Sequence, residues 1–387
     1  MIPFQDLNTH VIDVIEGTTP GPVSVWMGGI HGNEPSGILA ITSVMEWLRK
    51  HNAPLRGRII GSRGNPDTLS AGVRHLDLDL NRVFPLPYLY GGDLDLPGKD
   101  SRRRNAVIDI LQQWLASIGN ENGGYFFDLH SFSSHGPPFS IITDTLRNSA
   151  LARQMNIPVV RNFNENLNGT LTDYVTHAGA TAMTIEAGNH DDTETVTRHE
   201  QLMRMALVAI GHLYPQDVPS YADDCASIAA SVQGVPQNLE LVDRHPIHEE
   251  SSFSMHPGLR NLAPVSCGDA IATDADGPVY VGHKRCLVLM PLYQEQGREG
   301  FFLVRARPAF LVELSSFLRR TGLGNILRLL STWRSGKMGF VLPENAGIRI
   351  AILKLAGYRK RTTIEGVTEY VRPRYDSRAP SSPDFMD

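Results

Sequence analysis

Between Val23 and about Leu213 the chain alternates short apolar runs with stretches whose apolar residues recur every three or four positions. That alternation limits the fold more than any other feature of the sequence. Strands joined through helices form a mostly parallel or mixed sheet, and such a sheet must be covered on both faces. The apolar runs predict strands at 23–29, 57–61, 125–129, 139–143, 157–160 and 181–187, with helices between and after them. Pro35 suits a first helical position, and Ile38, Ile41, Met45 and Leu48 form one apolar face through Lys50. Val107, Leu111, Trp114, Leu115 and Ile118 do the same within 101–118, and 193–213 reads as a third long helix.

The character changes near Tyr214. Residues 215–307 are rich in Pro, Gly and short apolar runs such as "GPVYVGH", "CLVLMPLY" and "GFFLVRA", the pattern of a small all-β domain. After Pro308 helical periodicity returns in "FLVELSSFLRR" and "NILRLLSTWR", and the chain ends in a loose tail, "RYDSRAPSSPDFMD". A chain of 387 residues exceeds one small core. The expected division is therefore 1–214 as an α/β domain carrying the chemistry, 215–307 as a β domain, and 308–387 as a helical extension.

Composition narrows the partners. At 41% hydrophobic and 20% charged the chain is ordinary for a soluble globular protein. A net charge of -5 offers no global basic field for nucleic acid or an anionic membrane. No stretch approaches the roughly 20 apolar residues of a spanning helix. The start, "MIPFQDLNTH", lacks the basic n-region and apolar core of a signal peptide. Cys225, Cys267 and Cys286 are odd in number and far apart, which argues against a disulfide framework or a cysteine zinc site. These absences point to a cytoplasmic protein.

The first strand ends in "GGIHGNEPSG", which places His31 and Glu34 three apart on the loop leading into a helix. Sites in such sheets collect on loops beyond the carboxyl ends of strands. A catalytic zinc typically takes three protein ligands of imidazole or carboxylate type and keeps one position open. A single His-x-x-Glu is a weak signal and needs a third ligand from another strand end. "YFFDLHSF" supplies His130. In a strand, residues two apart face the same side, so Asp128 points with His130 and can orient its imidazole. "HPIHEE" at 245–250 resembles a zincin helix only superficially, since Pro246 opposes helix and the order is wrong, so it reads as surface. His75, His135, His177 and His190 lie near the site in sequence and are candidates for lining it, not for ligating.

"TAMTIEAG" is a further strand, closed by Glu186. A carboxylate there can take a proton from an attacking water and return it to a leaving amine. The most unusual stretch is "GVRHLDLDLNRVFP", where Arg74 and Arg82 flank Asp77 and Asp79. The aspartates can hold the arginines in place. One guanidinium can stabilise an oxyanion, and another, with an amide such as Asn81, suits a substrate carboxylate.

Taken together, "GGIHGNEPSG", "RHLDLDLNRVFP", "FFDLHSF" and "MTIEAGN", in this order, resemble the aspartoacylase and succinylglutamate desuccinylase family, zinc deacylases related to the zinc carboxypeptidases. The resemblance covers about residues 20–307. It implies a zinc-carboxypeptidase-like mixed sheet flanked by helices, followed by a small β domain that shapes the active site. It implies one zinc per chain on His31, Glu34 and His130, with Glu186 as general base. Arg74 matches the arginine that polarises the acyl carbonyl, and Asn81 and Arg82 match the pair that holds the amino acid's carboxylate. The aspartoacylase branch uses another arginine and a tyrosine for its acidic substrate. Arg161 lies too far before Glu186 to match, and Tyr293 in "PLYQEQGREG" matches only loosely, so acetylaspartate and succinylglutamate are not implied.

The reading is a zinc-dependent amidohydrolase that splits an N-acyl amino acid or similar small amide into a carboxylate and an amine. The nearest rival is a carboxypeptidase-like hydrolase of short peptides, with nearly the same chemistry and a larger leaving group. A zinc-binding protein without catalysis is a third reading, and Glu186 and Arg74 argue against it. The expected partner is a small molecule, with neither nucleic acid nor membrane. The apolar faces after Pro308 are assigned to packing or to a contact between subunits of a homo-oligomer.

Overall fold

A computed structural model of the chain describes residues 10–84, 96, 98–115, 124–167, 169–247, 253–293, 297–322, 327, 334–335, 339–343, 345–364, 366–373 and 375–377. Ile118, most of "NILRLLSTWR", His248 to Glu250 and nearly all of the tail lie outside the described residues.

The first half runs β1 (Val11–Glu16), β2 (Thr19–Gly28), α1 (Ser36–Lys50), β3 (Arg56–Arg63), α2 (Pro66–Ala71), α3 (Gly98–Leu115) and β4 (Gly124–Phe132). It continues with β5 (Phe139–Ile141), α4 (Leu146–Met155), β6 (Val159–Arg161), α5 (Leu171–Ala178), β7 (Thr181–Asn189) and α6 (Thr193–Ala209). Then follow α7 (Tyr221–Ser231), β8 (Asn238–Pro246), β9 (Ser254–Met255), β10 (Ala263–Val265), β11 (Ala270–Asp274), β12 (Gly277–Tyr280), β13 (Cys286–Leu289) and β14 (Glu299–Ala306). The chain closes with α8 (Ala309–Thr321), β15 (Arg334–Ser335), β16 (Gly339–Pro343), α9 (Gly347–Leu355), β17 (Arg359–Ile364) and β18 (Val367–Val371).

The expected mixed sheet flanked by helices is present, as one 11-stranded sheet in the order β1-β3-β2-β4-β7-β5-β6-β8-β14-β13-β10. Its centre, β3-β2-β4-β7, is parallel. These strands read as unbroken apolar runs because both faces are covered. Trp26, Phe127, Met183 and Ile185 pack under α1, α4 and α6. Val25, Met27, Phe126 and Ala182 pack against Val107, Leu111 and Trp114 of α3 and Leu171, Tyr174 and Val175 of α5. Trp26 stacks on Phe127 across neighbouring strands with ring centroids 4.0 Å apart, an arrangement worth about 0.5–1.5 kcal/mol beyond burial.

Several expectations are corrected. Pro35 precedes α1 as its cap residue instead of opening it, and α6 stops at Ala209. Residues 215–307 are not all β. Their first element is α7, an alanine-rich helix with Asp223 and Asp224 in its first turn. Nor do their strands stand apart, since β8 pairs with β6 and brings β14, β13 and β10 into the main sheet. Among the described residues there, only β12-β11-β9 forms a separate small sheet. The extension after Pro308 is not purely helical. It holds α8 and α9 but also the antiparallel sheet β15-β16-β18-β17. The β-branched runs "RTTI" and "VTEYV" flank Gly366, whose φ of 76° is the left-handed conformation that hairpin turns require.

Buried Asp144, between β5 and α4, ties this extension to the sheet. It pairs with Arg161 of β6 at 3.1 Å, with Arg319 of α8 at 3.2 Å and with Arg359 of β17. Among the described residues no helix is long and apolar enough to cross a membrane.

Candidate metal centre and active site

The site lies at the carboxyl ends of β2, β4 and β7, three strands adjacent in the sheet. β2 ends at Gly28, and the loop to α1 carries His31 and Glu34. Gly28 and Gly29 do not open room for a ligand. A Cβ on Gly28 would sit 2.8 Å from the backbone nitrogen of Ile38, and one on Gly29 would sit 2.6 Å from the Ile38 side chain. The glycines let α1 close onto the strand end, and that closure holds the loop.

His31, Glu34 and His130 are 3%, 2% and 3% exposed, and their ligand atoms lie within 4.8 Å of one another. Glu34 bridges the two rings, with Oε1 2.9 Å from His31 Nδ1 and Oε2 2.9 Å from His130 Nδ1. The backbone N–H of Ser131 donates to the same Oε2 at 3.1 Å. Each ring meets a second carboxylate at its far nitrogen. His31 Nε2 is 3.0 Å from Asp79 Oδ1, and His130 Nε2 is 2.9 Å from Asp128 Oδ2. The second contact is a close charge pair without hydrogen-bond alignment. Burial by itself would raise the Glu34 carboxyl, but the flanking imidazoles outweigh it and hold it well below the usual carboxylate range. Burial by itself would lower His130, but Asp128 and Glu34 hold it well above the usual histidine value.

This arrangement suits a cation. Both Nδ1 atoms converge on Glu34, and both Nε2 atoms are backed by aspartates that fix ring orientation, the pattern of imidazole ligands with carboxylate support. Two imidazoles and a carboxylate are a donor set that zinc accepts.

Glu186 lies directly across from His130 in the parallel pairing of β4 with β7. It is 6% exposed, and among the described residues its Oε2 has no hydrogen-bond partner. Burial pushes its carboxyl up to about 8, with His130 and Arg74 opposing and Glu34 and Asp128 adding. Arg74 donates to Glu34 at 3.3 Å and to Asp79 at 3.1 Å. Asn81 and Arg82 stand on a 3-10 turn, Leu80–Arg82, capped by Asp79, which accepts from the Asn81 N–H at 2.9 Å. Asn81 Oδ1 accepts from the backbone of Leu171 at 2.8 Å, and Arg82 reaches Glu299 of β14 at 3.4 Å.

All of His31, Glu34, Arg74, Asn81, Arg82, His130 and Glu186 line one cavity of about 100 Å³, with Asp128 beneath His130. Of the four neighbouring histidines only His190 lines it, with Nδ1 2.7 Å from Ser131 Oγ. Asp77 does not hold a site arginine, since it faces Arg103 with a side chain 56% exposed. Arg161 is sequestered by Asp144, Ser149 and Asn238. Tyr293 bonds the backbone of His256 and Leu259 and does not line the cavity. Sequence reasoning missed Asp79 as the carboxylate behind His31. The only available signal was the alternation of "LDLDL", which puts Asp77 and Asp79 on one side without telling which is buried. Glu299, contributed by β14, carried no local signal.

The succinylglutamate desuccinylase/aspartoacylase catalytic domain, as a family model, matches residues 20–211. A succinylglutamate desuccinylase of Burkholderia pseudomallei is 39% identical over 277 residues, covering 68% of this chain and 73% of that one. Another, from Serratia proteamaculans, is 29% identical over 203 residues, and the match spans 48% of this chain and 59% of the relative. The crystal structure of a succinylglutamate desuccinylase/aspartoacylase from Rhodobacter sphaeroides has the same fold, with a TM-score of 0.55 at 16% identity, covering 76% of this chain and 88% of that one.

Proposed function

The chain belongs to the succinylglutamate desuccinylase/aspartoacylase family, and from that premise we propose that it is a zinc-dependent hydrolase of the amide bond in a small N-acylated amino acid. The observation that carries the reading is the pairing of His130 with Glu186 across β4 and β7. It sets a buried carboxylate with an unpartnered oxygen beside a His-Glu-His donor set.

His31, Glu34 and His130 would hold the zinc, which when bound supplies Lewis-acid activation of water and of the acyl oxygen. The remaining work belongs to the protein. Glu186 accepts a proton from the attacking water as the new carbon–oxygen bond forms. Its raised affinity for protons suits a base that must hold that proton and then deliver it to the amide nitrogen as the carbon–nitrogen bond breaks. Arg74, fixed by Glu34 and Asp79, directs positive charge toward the acyl oxygen as negative charge develops there. Arg82 and Asn81 bind the carboxylate of the amino-acid half. The products are a carboxylate and a free amino acid.

Cys225, Cys267 and Cys286 are free thiols, and Cys267 is exposed. They suit a reducing compartment, so we place the protein in the cytoplasm.

The test is release of primary amine from a panel of N-acyl amino acids by purified protein. Activity should vanish with a chelator and return with about one equivalent of zinc. Absence of turnover on every amide tested, with zinc bound, would end this reading.

A further inference from the structure

We infer that the substrate's amino-acid half bears a single carboxylate and an apolar side chain, not a second acid; the inference rests on the deacylase reading above. Six of the side chains lining the cavity are apolar: Phe132, Ile141, Phe163, Met290, Leu292 and Phe302. Three of its lining residues are arginines, and two of these already face acids. Arg74 contacts Glu34 and Asp79, and Arg82 contacts Glu299. The third, Arg298, is solvent-exposed at the edge of the cavity. Arg161, which could have served an acidic substrate, is 2% exposed and bonded to Asp144, outside the cavity lining.

The apolar wall and the carboxylate anchor are neighbours. Glu299 opens β14, and Phe302 lies three residues along the same strand, its ring 4.7 Å from that of Phe163. Phe163, Asn164 and Thr170 come from the segment joining β6 to α5 and line the cavity. Gly169 of that segment presses on Arg82 so closely that a Cβ there would lie 2.2 Å from the Arg82 carbonyl oxygen. Phe163 and Phe302 line the same cavity as Arg82 and Glu299, so an amino acid whose carboxylate meets Arg82 has this apolar wall within the same cavity. A second carboxylate in that position would lose its hydration against these rings and face the like charge of Glu299. An aliphatic or aromatic side chain there gains burial, and even one methylene in such a pocket is worth about 10–200-fold in discrimination.

The experiment separates this inference from the reaction itself. Binding of N-acetyl-leucine, N-acetyl-phenylalanine, N-acetyl-glycine, N-acetyl-aspartate, N-acetyl-ornithine and N-succinyl-glutamate to zinc-loaded Glu186→Gln protein is measured by calorimetry. The Gln amide is uncharged and does not repel a dianion, so the comparison does not favour the apolar compounds. The leucine and phenylalanine compounds should bind at least tenfold more tightly than the aspartate, glutamate and ornithine compounds. Phe302→Ala, added to that protein, should remove most of the advantage of leucine over glycine while leaving N-acetyl-glycine within about twofold. Leu292→Arg, at a half-buried position on the cavity, should raise affinity for N-acetyl-aspartate about tenfold. Tighter binding of any diacid or of the ornithine compound overturns the inference, as does equal weakening of glycine and leucine compounds by Phe302→Ala. Wild-type turnover of the same panel is scored separately: its failure on every compound refutes the deacylase reading, while the order of affinities still decides the substrate class.

Discussion

Asp79 is the residue through which the proposed metal centre and the arginines are coupled, and replacing it by Asn isolates that coupling. The carboxylate is 4% exposed and accepts from His31 Nε2 at 3.0 Å, from Arg74 at 3.1 Å and from the Asn81 N–H at 2.9 Å. Burial alone would raise its carboxyl, but His31, Arg74 and Arg82 outweigh it and keep Asp79 well below the usual carboxylate range, so it is charged at neutral pH. Asp79→Asn retains size and one acceptor oxygen but removes the charge. An amide oxygen at the Oδ1 position still accepts from the imidazole and from the Asn81 N–H, while the NH2 takes the place of Oδ2 against the Arg74 guanidinium, so what His31 loses is the negative charge behind it. Loss of such support behind a metal ligand costs about 10–100-fold in metal affinity, or roughly 1.4–2.7 kcal/mol. Arg74 loses one of its two carboxylates, so kcat of the zinc-loaded variant should also fall. Zinc affinity by chelator competition, followed by kcat at saturating zinc, reads the two effects apart. Asp77→Asn is the control, because its side chain is 56% exposed and pairs with Arg103 at 3.3 Å. It should change zinc affinity by less than about twofold, as expected for an exposed ion pair. Equal zinc affinity in wild type and Asp79→Asn would refute the role given to Asp79.

Glu186→Gln should keep zinc and lower kcat by roughly a hundredfold or more, since the amide cannot accept the proton of water; near-normal kcat would move the base elsewhere. Arg82→Ala should raise KM for N-acyl amino acids with a cost of about 2–4 kcal/mol, while amides lacking the carboxylate lose much less. His212, 0% exposed, meets Ser24 Oγ at 2.8 Å and the Arg56 carbonyl at 2.6 Å, and burial pushes its value down from 6.5 to about 4. The unfolded chain takes up this proton from about pH 6.5 downward while the folded one refuses it. Stability from this group is thus full above pH 6.5 and lost as pH falls toward 4, by up to about 3 kcal/mol. Melting temperatures of wild type and His212→Gln between pH 7 and 4.5 should converge as pH drops, and parallel curves would contradict the assignment.

The strands were legible where burial on both faces leaves only apolar residues, as in "VSVWM" and "TAMTI". Elements that broke this rule were not. Among the described residues β1 is an edge strand, paired on one side alone, and its sequence, "VIDVIE", mixes in acids. α4 falls between two predicted strands, where a helix is expected, but its own pattern gives no amphipathic face. Its sequence "LRNSALARQM" looks solvent-facing, yet Arg147, Asn148 and Ser149 are all buried. Asn148 donates to the Thr143 carbonyl and accepts from the Ala182 N–H, so the helix turns a polar face inward and satisfies backbone groups there. Amphipathic periodicity cannot reveal a helix whose buried side is polar.

The candidate metal ligands were legible as types and positions, but their meeting is a property of strand order. His31 and Glu34 follow β2, His130 ends β4 and Glu186 ends β7, and the sheet lays these strands side by side. Adjacent strands are about 4.8 Å apart, so polar residues at neighbouring strand ends arrive within ligand distance of one another without any special loop. The 5.0 Å between the His31 and His130 ring centroids is close to that spacing. Register supplies the rest. Side chains alternate between faces with a period of two, so slipping β7 by one residue against β4 would put Ile185 or Ala187 opposite His130 and turn Glu186 to the other face. The register is fixed by the alternate packing of Met183 and Ile185 under α6 and of Ala182 against α5. Core packing on the two faces of β7 therefore decides where the proposed base, Glu186, points, and a volume change at Ile185 should lower turnover although the two side chains lie on opposite sides of the sheet.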